Sequence, residues 1–288
     1  MKKEVTLAKS AGFCFGVERA VNICIKESEK YKDSDKKVFT LGPIIHNEEV
    51  VKDLKQKGID VINEPGELKN PQNSVVIIRS HGVKKAIIDE LEKMGVTVVS
   101  ATCPFVSKIH NIALKTYNDG DQLIIVGSRN HPEVIGINGW CNDTAIIIEN
   151  EEEAKNLKFD NNKKVIVVAQ TTFNFRKFKY IVDILKKNCY TIVVMNTICN
   201  ATEERQIEAK EISEISEAML VIGGKHSSNT QKLYEICKER CPNTHFIQTL
   251  DDLSSVELES FRSVGITAGA STPNKIIKEV QSYVSREQ

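Results

Sequence analysis

Short apolar segments alternate with longer amphipathic segments along the 288-residue chain. The apolar segments, such as Val75–Ile78 and Val165–Ala169, are rich in Val and Ile, which is typical of strands buried in a sheet. The amphipathic segments between them have the period of helices. Strands that alternate with helices favour parallel sheets, so the pattern predicts an α/β fold.

The pattern repeats three times, and each repeat carries one cysteine where a strand meets a helix. Cys14, Cys103 and Cys199 are separated by 103 − 14 = 89 and 199 − 103 = 96 residues. A period of this length predicts three lobes rather than the two domains that chain length alone suggests. The lobes are placed at residues 14–100, 101–195, and 196–288 together with 1–13. We expect each lobe to be a small, mostly parallel sheet flanked by helices, and the three to be related by a pseudo-threefold axis around a central cavity.

Cys199 shows the junction most clearly. The β-branched segment Tyr190–Met195 before it predicts a buried strand, and a charged helix is predicted from Glu203 to about Glu217. The free amides and the positive dipole end of such a helix favour a thiolate. The same pattern predicts helices from Val17 and Phe105 after the other two cysteines.

Polar loops recur at two further positions of each repeat. Measured from the cysteine of its own repeat, the first set falls 32, 28 and 28 residues on, at His46, His131 and Ser227. The second set falls 67, 68 and 72 residues on, at His81, Thr171 and Ser271. Each loop lies between a predicted strand and a predicted helix. Ligands bind beyond the carboxyl ends of parallel strands, so we expect these loops and the three cysteines to face one cavity.

Three cysteines, one in each repeat, are the first candidate site because together they could bind a metal centre. Zinc at a structural site usually takes a fourth protein ligand. An iron–sulfur cube held by three thiolates leaves one iron open to act as a Lewis acid on a substrate. The alternative is that the three cysteines are buried residues at helix starts without a ligand.

Histidines and neutral hydrogen-bond donors at predicted helix starts form the second candidate site. They are His46, His81, His131, Ser227, Ser228, Asn229 and Ser271. Such groups suit phosphate or diphosphate, whereas the absence of Gly-x-x-x-x-Gly-Lys-Ser/Thr argues against a P-loop. The alternative for each loop is helix capping by Ser, Thr or Asn. His110, His226 and His245 are predicted to be surface or capping residues.

Glu133 is the candidate proton donor. It follows His131 and Pro132 in one of the site loops, with no lysine or arginine in the next three residues. An acid beside an open iron and a phosphate-binding wall is placed to deliver protons. The alternative is a first-turn glutamate that only stabilises a helix.

Composition narrows the class of protein. Lys plus Arg and Asp plus Glu number 39 each, so the charge does not suggest nucleic acid or an anionic membrane as the main partner. The start of the chain lacks the apolar region of a signal peptide, so we expect a cytoplasmic protein. Eight cysteines in a reducing compartment do not predict a disulfide framework, and Cys237 and Cys241, four apart on a predicted helix, are interpreted as a coincidence of one face.

Seven short motifs follow one another along nearly the whole chain. They are Gly12–Val17, Ala101–Pro104, His131–Gly136, Gln170–Thr172, Thr197–Thr202, Ser227–Thr230 and Thr267–Pro273. Together they resemble the LytB family of 4-hydroxy-3-methylbut-2-enyl diphosphate reductases. The family commonly has Pro-Arg where this chain has Ser10 and Ala11, and Asp where it has Ser100. We expect these departures to change at most local packing or the electron-donor surface.

The resemblance implies a role for each candidate residue. Cys14, Cys103 and Cys199 would hold a [4Fe–4S] cluster with one open iron that takes the terminal hydroxyl of the substrate. The diphosphate would be bound by His46, His81, Ser227, Ser228, Asn229 and Ser271. His131 would contact the substrate and help deliver protons, Glu133 would be the principal acid, and Thr172 would bind and orient the hydroxyl.

The resemblance also implies the reaction. Two single-electron transfers would remove the terminal hydroxyl of (E)-4-hydroxy-3-methylbut-2-enyl diphosphate as water, and protonation would give isopentenyl or dimethylallyl diphosphate. The lobes would close over the substrate. Ferredoxin or flavodoxin would supply the electrons, and we expect a monomer.

Two other classes of protein fit parts of the pattern. Hydro-lyases of the aconitase type also use three-cysteine clusters with one open iron, but they need no electrons. A zinc- or thiol-based protein that binds a phosphorylated metabolite would carry out no redox chemistry.

Overall fold

The computed structural model describes residues 3–160, 162–188, 191–255 and 258–286. The apolar segments of these residues form strands β1 (Glu4–Leu7), β2 (Lys37–Leu41), β3 (Ile59–Ile62), β4 (Ser74–Ile78), β5 (Thr97–Ser100), β6 (Gln122–Val126), β7 (Ile146–Ile148), β8 (Val165–Ala169), β9 (Ile192–Val194), β10 (Ala218–Ile222), β11 (Thr244–Ile247) and β12 (Ser263–Ala268).

The amphipathic segments form the helices. They are α1 (Phe15–Tyr31), α2 (Glu48–Gln56), α3 (Lys85–Lys93), α4 (Pro104–Asn118), α5 (Pro132–Trp140), α6 (Glu151–Asn156), α7 (Phe175–Asn188), α8 (Asn200–Ile215), α9 (Ser228–Lys238) and α10 (Asn274–Arg286). None of the helices among the described residues combines the length and the apolar composition needed to cross a bilayer.

The strands pair into three parallel sheets of four strands each. Sheet I has the order β3-β2-β4-β5, sheet II the order β7-β6-β8-β9, and sheet III the order β11-β10-β12-β1. The pairings of all three sheets are parallel, so the predicted α/β fold with mostly parallel sheets is confirmed. The three orders are equivalent. In each sheet the strand that leads to a cysteine, namely β5, β9 or β1, is an edge strand.

One expectation about these edge strands is wrong. The segment before Cys199 was predicted to be a buried strand, but β9 begins only at Ile192, and Val193 is 36% exposed. The reason is that β9 is an edge strand, which among the described residues pairs with β8 alone. Tyr190, where that prediction began, and the neighbouring Cys189 lie outside the described residues.

The central strands carry the core, and helices cover both faces of their sheets. In sheet II, Ile124 packs with Phe178 and Ile181 of α7, whereas Leu123 on the opposite face packs with Ile109 of α4. Sheet III has separate apolar clusters on its two faces in the same way. Each fully buried aliphatic side chain contributes about 1.5–3 kcal/mol to stability. This packing fixes the carboxyl ends of the central strands, where the polar loops begin.

The chain forms two compact units, which are described separately. Unit 1 comprises Met1–Val17, His46–Val50 and Cys199–Gln288 and contains sheet III. Unit 2 comprises Glu18–Ile45 and Val51–Ile198 and contains sheets I and II. The three lobe boundaries at 14–100, 101–195, and 196–288 with 1–13 stay a prediction, as does the central cavity.

Candidate functional site

Each candidate ligand cysteine directly precedes a helix. Cys14 stands immediately before α1, and Cys103 and Cys199 are the N-cap residues of α4 and α8. The three helices begin one to three residues earlier than the sequence predicted. Of the seven described cysteines, these three are half-buried, whereas Cys24, Cys141, Cys237 and Cys241 are buried. The three candidate thiols are therefore the accessible ones.

Two of these cysteines are tied to the polar loops in an equivalent way. In unit 1 the backbone N–H of Cys14 donates to Ala270 O at 3.2 Å, next to Ser271. In unit 2 the backbone N–H of Cys103 donates to Ser80 O at 2.9 Å, next to His81. The same backbone hydrogen bond thus links a cysteine to a phosphate-loop candidate in both units.

The pKa of the Cys199 thiol differs from the expectation. Burial raises this pKa above its ordinary value, and the nearby Cys14 raises it further. The backbone N–H groups of Ala201 and Thr202 and the charge of Arg205 lower it, but they do not compensate for burial. The start of the helix therefore favours the thiolate as expected, but burial outweighs this effect on the pKa of Cys199. A bound metal ion would supply the additional positive charge that displaces the proton.

Unit 1 contains five of the diphosphate candidates, namely His46, Ser227, Ser228, Asn229 and Ser271. Ser227 is the N-cap residue of α9, and its Oγ accepts a hydrogen bond from the N–H of Thr230 at 3.3 Å. Ser271 Oγ donates to the backbone O of His46 at 3.3 Å and lies 3.5 Å from Ser227 Oγ. Ser228 follows as the first residue of α9. Ser227 therefore caps a helix, as the alternative interpretation of its loop predicted. This cap does not account for Ser228 and Ser271, whose predicted role is to bind the diphosphate.

Asn229 is the most informative residue of this group. Its side chain is 3% exposed, and neither Nδ2 nor Oδ1 has a hydrogen-bond partner among the described residues. Leaving a buried polar group unsatisfied costs about 1–3 kcal/mol. The dipole of α9 adds a partial positive charge at the start of the helix, beside Asn229. Asn229 therefore has hydrogen-bonding capacity that a polar, anionic ligand would satisfy.

Unit 2 holds the candidate acid in a dry environment. Glu133 is fully buried in the first turn of α5, and its carboxylate accepts hydrogen bonds from the N–H and the Oγ of Thr171, at 2.6 and 2.7 Å. Burial raises the pKa of Glu133 from 4.5 to about 7, although both hydrogen bonds from Thr171 lower it. Glu133 does lie in the first turn of a helix, as the alternative interpretation predicted. However, an exposed first-turn glutamate would not have this raised pKa.

The remaining candidates of unit 2 are His81, His131 and Thr172. His131 is the N-cap residue of α5, and its Nδ1 accepts a hydrogen bond from the N–H of Glu133 at 3.2 Å. The rings of His81 and His131 lie with centroids 5.3 Å apart at an interplanar angle of 87°. Gln170 Nε2 donates to Thr172 Oγ1 at 2.9 Å. Unit 2 therefore brings His81, His131, Glu133 and Thr172 into one connected group.

Three features of the site were missed or misjudged from sequence. Thr171 was identified as a loop position but given no role, although it holds Glu133. Arg205, in a motif-flanking segment, was given no role at all. His110 was predicted to be a surface or capping residue, but it is 4% exposed and stacks on Trp140 with ring centroids 4.9 Å apart. His226 is exposed as expected, and His245 is half-buried on β11.

Comparisons with known proteins identify relatives over almost the whole chain. A family model described as LytB protein matches residues 5–285. A relative from Caldanaerobacter subterraneus subsp. tengcongensis, named 4-hydroxy-3-methylbut-2-enyl diphosphate reductase, is 48% identical over 277 residues, or 96% of this chain and 95% of the relative.

Solved structures give the same result for the fold. The E-1-hydroxy-2-methyl-but-2-enyl-4-diphosphate reductase from Plasmodium falciparum has a TM-score of 0.90 at 28% identity, covering 98% of this chain and 88% of that one. A structure of (E)-4-hydroxy-3-methyl-but-2-enyl diphosphate reductase, described as the terminal enzyme of the non-mevalonate pathway, has a TM-score of 0.68 at 41% identity, covering 98% and 99%. With sequence motifs, family model and three-sheet fold in agreement, the chain belongs to the LytB family.

Proposed function

We propose that the chain is a reductase of (E)-4-hydroxy-3-methylbut-2-enyl diphosphate. The reaction takes up two electrons and two protons, breaks the terminal C–O bond, releases water and forms one C–H bond. The products are isopentenyl and dimethylallyl diphosphate. Membership of the family and nearly full-length similarity to relatives of that name support the assignment.

The cofactor we propose is a [4Fe–4S] cluster held by Cys14, Cys103 and Cys199. The donor set fits, because these are the half-buried thiols among the described cysteines and each stands at a helix start. When bound, the cluster supplies single electrons and a Lewis-acidic iron for the hydroxyl of the substrate. The surrounding residues must bind the substrate, exclude water and supply protons.

The diphosphate end of the substrate is assigned to polar groups at helix starts. We propose that His46, His81, Ser227, Ser228, Asn229 and Ser271 bind it. The unsatisfied side chain of Asn229 and the positive dipole end of α9 support this role, since the first offers hydrogen bonds to phosphate oxygens and the second favours an anion.

Glu133 is assigned as the principal acid, and this assignment carries the catalytic part of the proposal. Its carboxyl group has a pKa of about 7 because it is fully buried, so near neutral pH both its protonated and its ionised forms are populated. A general acid works best when its pKa is near the operating pH. Thr171 holds the carboxyl group in place through hydrogen bonds to both of its oxygens.

His131 and Thr172 are assigned to the reacting end of the substrate. His131 is oriented by the hydrogen bond that its Nδ1 accepts from the N–H of Glu133, which places the proton of a neutral ring on Nε2. Thr172 is directed by Gln170, whose amide donates to its Oγ1. We propose that His131 binds substrate and helps deliver protons, while Thr172 binds and orients the hydroxyl.

Electrons must reach the site from outside the chain. We propose ferredoxin or flavodoxin as the donor, and a cytoplasmic, monomeric enzyme.

An anaerobic preparation tests the proposed function. We expect broad absorption near ~400 nm and about four irons per chain, as for thiolate-ligated clusters. Conversion of the hydroxymethylbutenyl diphosphate should require a reductant. Turnover without a reductant would instead indicate a hydro-lyase. A colourless, zinc-loaded protein from the same preparation would overturn both enzyme assignments and favour a phosphometabolite-binding protein.

A further inference from the structure

Arg205 connects the loops of two candidate ligand cysteines within unit 1. The residue lies on α8, six positions after Cys199, and is 5% exposed. Its Nη1 donates to Ala201 O at 2.8 Å, close to Cys199 in the chain. Its Nη2 donates to Gly12 O at 2.7 Å, two residues before Cys14. A single guanidinium group therefore bonds to the backbone of both cysteine loops.

The positive charge of Arg205 is buried without a carboxylate partner. No ion pair joins Arg205 to an acidic side chain among the described residues, and its buried Nε has no hydrogen-bond partner there. After burial itself, the largest influences on the pKa of Arg205 are the nearby Cys14 and Cys199, ahead of Glu204 and Glu208. Burying a cation without compensating charge is costly, so its position needs an anionic partner.

Glu208 fastens the same loop at a second point. It lies three residues after Arg205 on α8, and its carboxylate accepts hydrogen bonds from the N–H of Lys9 at 2.7 Å and the N–H of Ser10 at 2.9 Å. The hydroxyl of Ser10 also donates to it. The resemblance places a proline at this position in many family members, and a proline has no N–H to donate. Ser10 therefore makes two hydrogen bonds to Glu208 that a proline could not make. Glu208 therefore holds the Cys14 loop in place, as Arg205 does, but it does not carry the positive charge of Arg205.

We propose that Arg205 is a positioning residue that joins the Cys14 and Cys199 loops and compensates the negative charge of the ligated thiolates, which raises the reduction potential of the cluster. The proposal rests on the iron–sulfur function proposed above. Its physical reason is that reduction adds negative charge to an already anionic centre, and a buried cation nearby favours the reduced state. The charge acts on the cluster because it lies close to the ligand cysteines, so Arg205 needs no contact with the substrate.

Three variants separate charge from packing. Arg205→Met removes the charge and keeps an unbranched side chain of similar reach. Arg205→Lys keeps the charge and loses the two-point hydrogen bonding. Glu208→Gln is the control for the loop attachment, because it weakens that attachment and keeps Arg205, and the charge it removes is of the opposite sign. Each protein is loaded anaerobically, and the midpoint potential is measured by a spectroscopic redox titration together with iron content.

The expected result is a selective effect of charge on the potential. Arg205→Met should shift the reduction equilibrium of the cluster at least tenfold towards the oxidised state, which is about 59 mV for a one-electron couple. Arg205→Lys should recover most of that shift. Glu208→Gln weakens the loop attachment but removes a negative charge, so it should not shift the equilibrium towards the oxidised state.

Several outcomes would overturn the proposal. One is an intact cluster in Arg205→Met with the wild-type potential. Another is loss of the cluster in both the Met and the Lys variants, because hydrogen-bond geometry and not charge would then be the requirement. Loss in the Met variant alone, with a near-normal potential in the Lys variant, would support it. The wild-type sample distinguishes failure of the Arg205 proposal from failure of the proposed function. A wild-type protein without a cluster would refute the proposed function itself.

Discussion

A single buried carboxyl group illustrates how the fold prepares a residue for chemistry. Glu133 has no exposed surface, and its two hydrogen bonds come from one residue, Thr171, 38 positions further along the chain. These bonds stabilise the ionised form, but burial outweighs them and brings the pKa of Glu133 to about 7. At neutral pH a large fraction of Glu133 therefore keeps the proton that an exposed glutamate would have lost.

The first prediction concerns turnover. Glu133→Gln should retain both contacts to Thr171, because the amide can accept from its N–H and donate to its hydroxyl. The variant should load the cluster and bind substrate, but lose about 10²- to 10⁴-fold in kcat, the range for loss of a general acid. Glu152→Gln is the control, since Glu152 is an exposed glutamate in the same unit. Wild-type kcat in Glu133→Gln with excess reductant would remove Glu133 as the acid.

The same carboxyl group should influence stability as a function of pH. Its pKa is raised in the folded chain, so its stabilising contribution is present below about pH 4.5 and is lost as pH rises through about 7. Over that window the wild-type chain should lose about 3 kcal/mol relative to Glu133→Gln. Denaturant unfolding of both proteins at several pH values measures the difference. A difference that does not change with pH would show that the carboxyl group titrates normally.

At the scale of elements, α4 and α5 pack through His110 and Trp140 beside the loop of His81. Trp140 Nε1 donates to Val83 O at 3.0 Å, and Gly82 is so close to the His110 ring that a Cβ there would collide with it. Gly82 also has a φ of +69°, which other residues rarely adopt. The loop between β4 and α3 is therefore fixed by a buried imidazole from α4.

That imidazole gives a second pH prediction with the opposite sign. Burial lowers the pKa of His110 from 6.5 to about 4, so the stability of the chain should fall as pH decreases from about 6.5 to 4. The loss should approach about 3 kcal/mol and should be absent in His110→Phe, which preserves an aromatic ring against Trp140. Unfolding curves between pH 4 and 7 test this, with His226→Phe as an exposed control. Equal acid sensitivity of all three proteins would contradict it.

The start of α9 gives a prediction in which stability and binding move in opposite directions. Asn229→Leu replaces unsatisfied polar atoms by apolar ones, so the variant should be as stable as the wild type or more stable by about 1 kcal/mol. Its KM for the diphosphate should rise at least tenfold if the amide binds a phosphate oxygen. Gln231→Ala, on the exposed side of the helix, is the control. An unchanged KM would exclude Asn229 from the substrate site.

The strands and the polar loops were easier to predict than the contacts between segments that are distant in the sequence. The apolar segments gave the strands because buried parallel strands are apolar throughout, and the polar loops were found because they end those segments. Whether a strand lies at the centre or the edge of a sheet depends on pairing between distant segments, so the exposure of β9 could not be seen. The contact between Arg205 and Gly12 joins residues 193 positions apart, and no local pattern records it.

At the scale of the whole molecule, the threefold period was the most useful sequence signal. It predicted the equivalent place of each cysteine, and the three sheets share one strand order with the cysteine strand at the edge. The period survives in sheet III although its strands come from both ends of the chain, because β1 pairs with β12. A repeat of this kind specifies topology strongly, whereas the hydrogen bonds within each site are particular to the side chains present.

The last prediction follows from that repeat. If each repeat contributes one ligand, then removing any one thiol should damage the cluster, although the three cysteines are far apart in the chain. Cys103→Ser should lose iron or hold an unstable cluster, because a serine hydroxyl is a poorer ligand for iron than a thiolate. Cys24→Ala is the matched control, since Cys24 is a buried cysteine in the same unit. Iron and sulfide analysis after anaerobic loading measures the effect. Full iron content and full activity in Cys103→Ser would show that the second repeat supplies no ligand, and the three-cysteine assignment would fail as a whole.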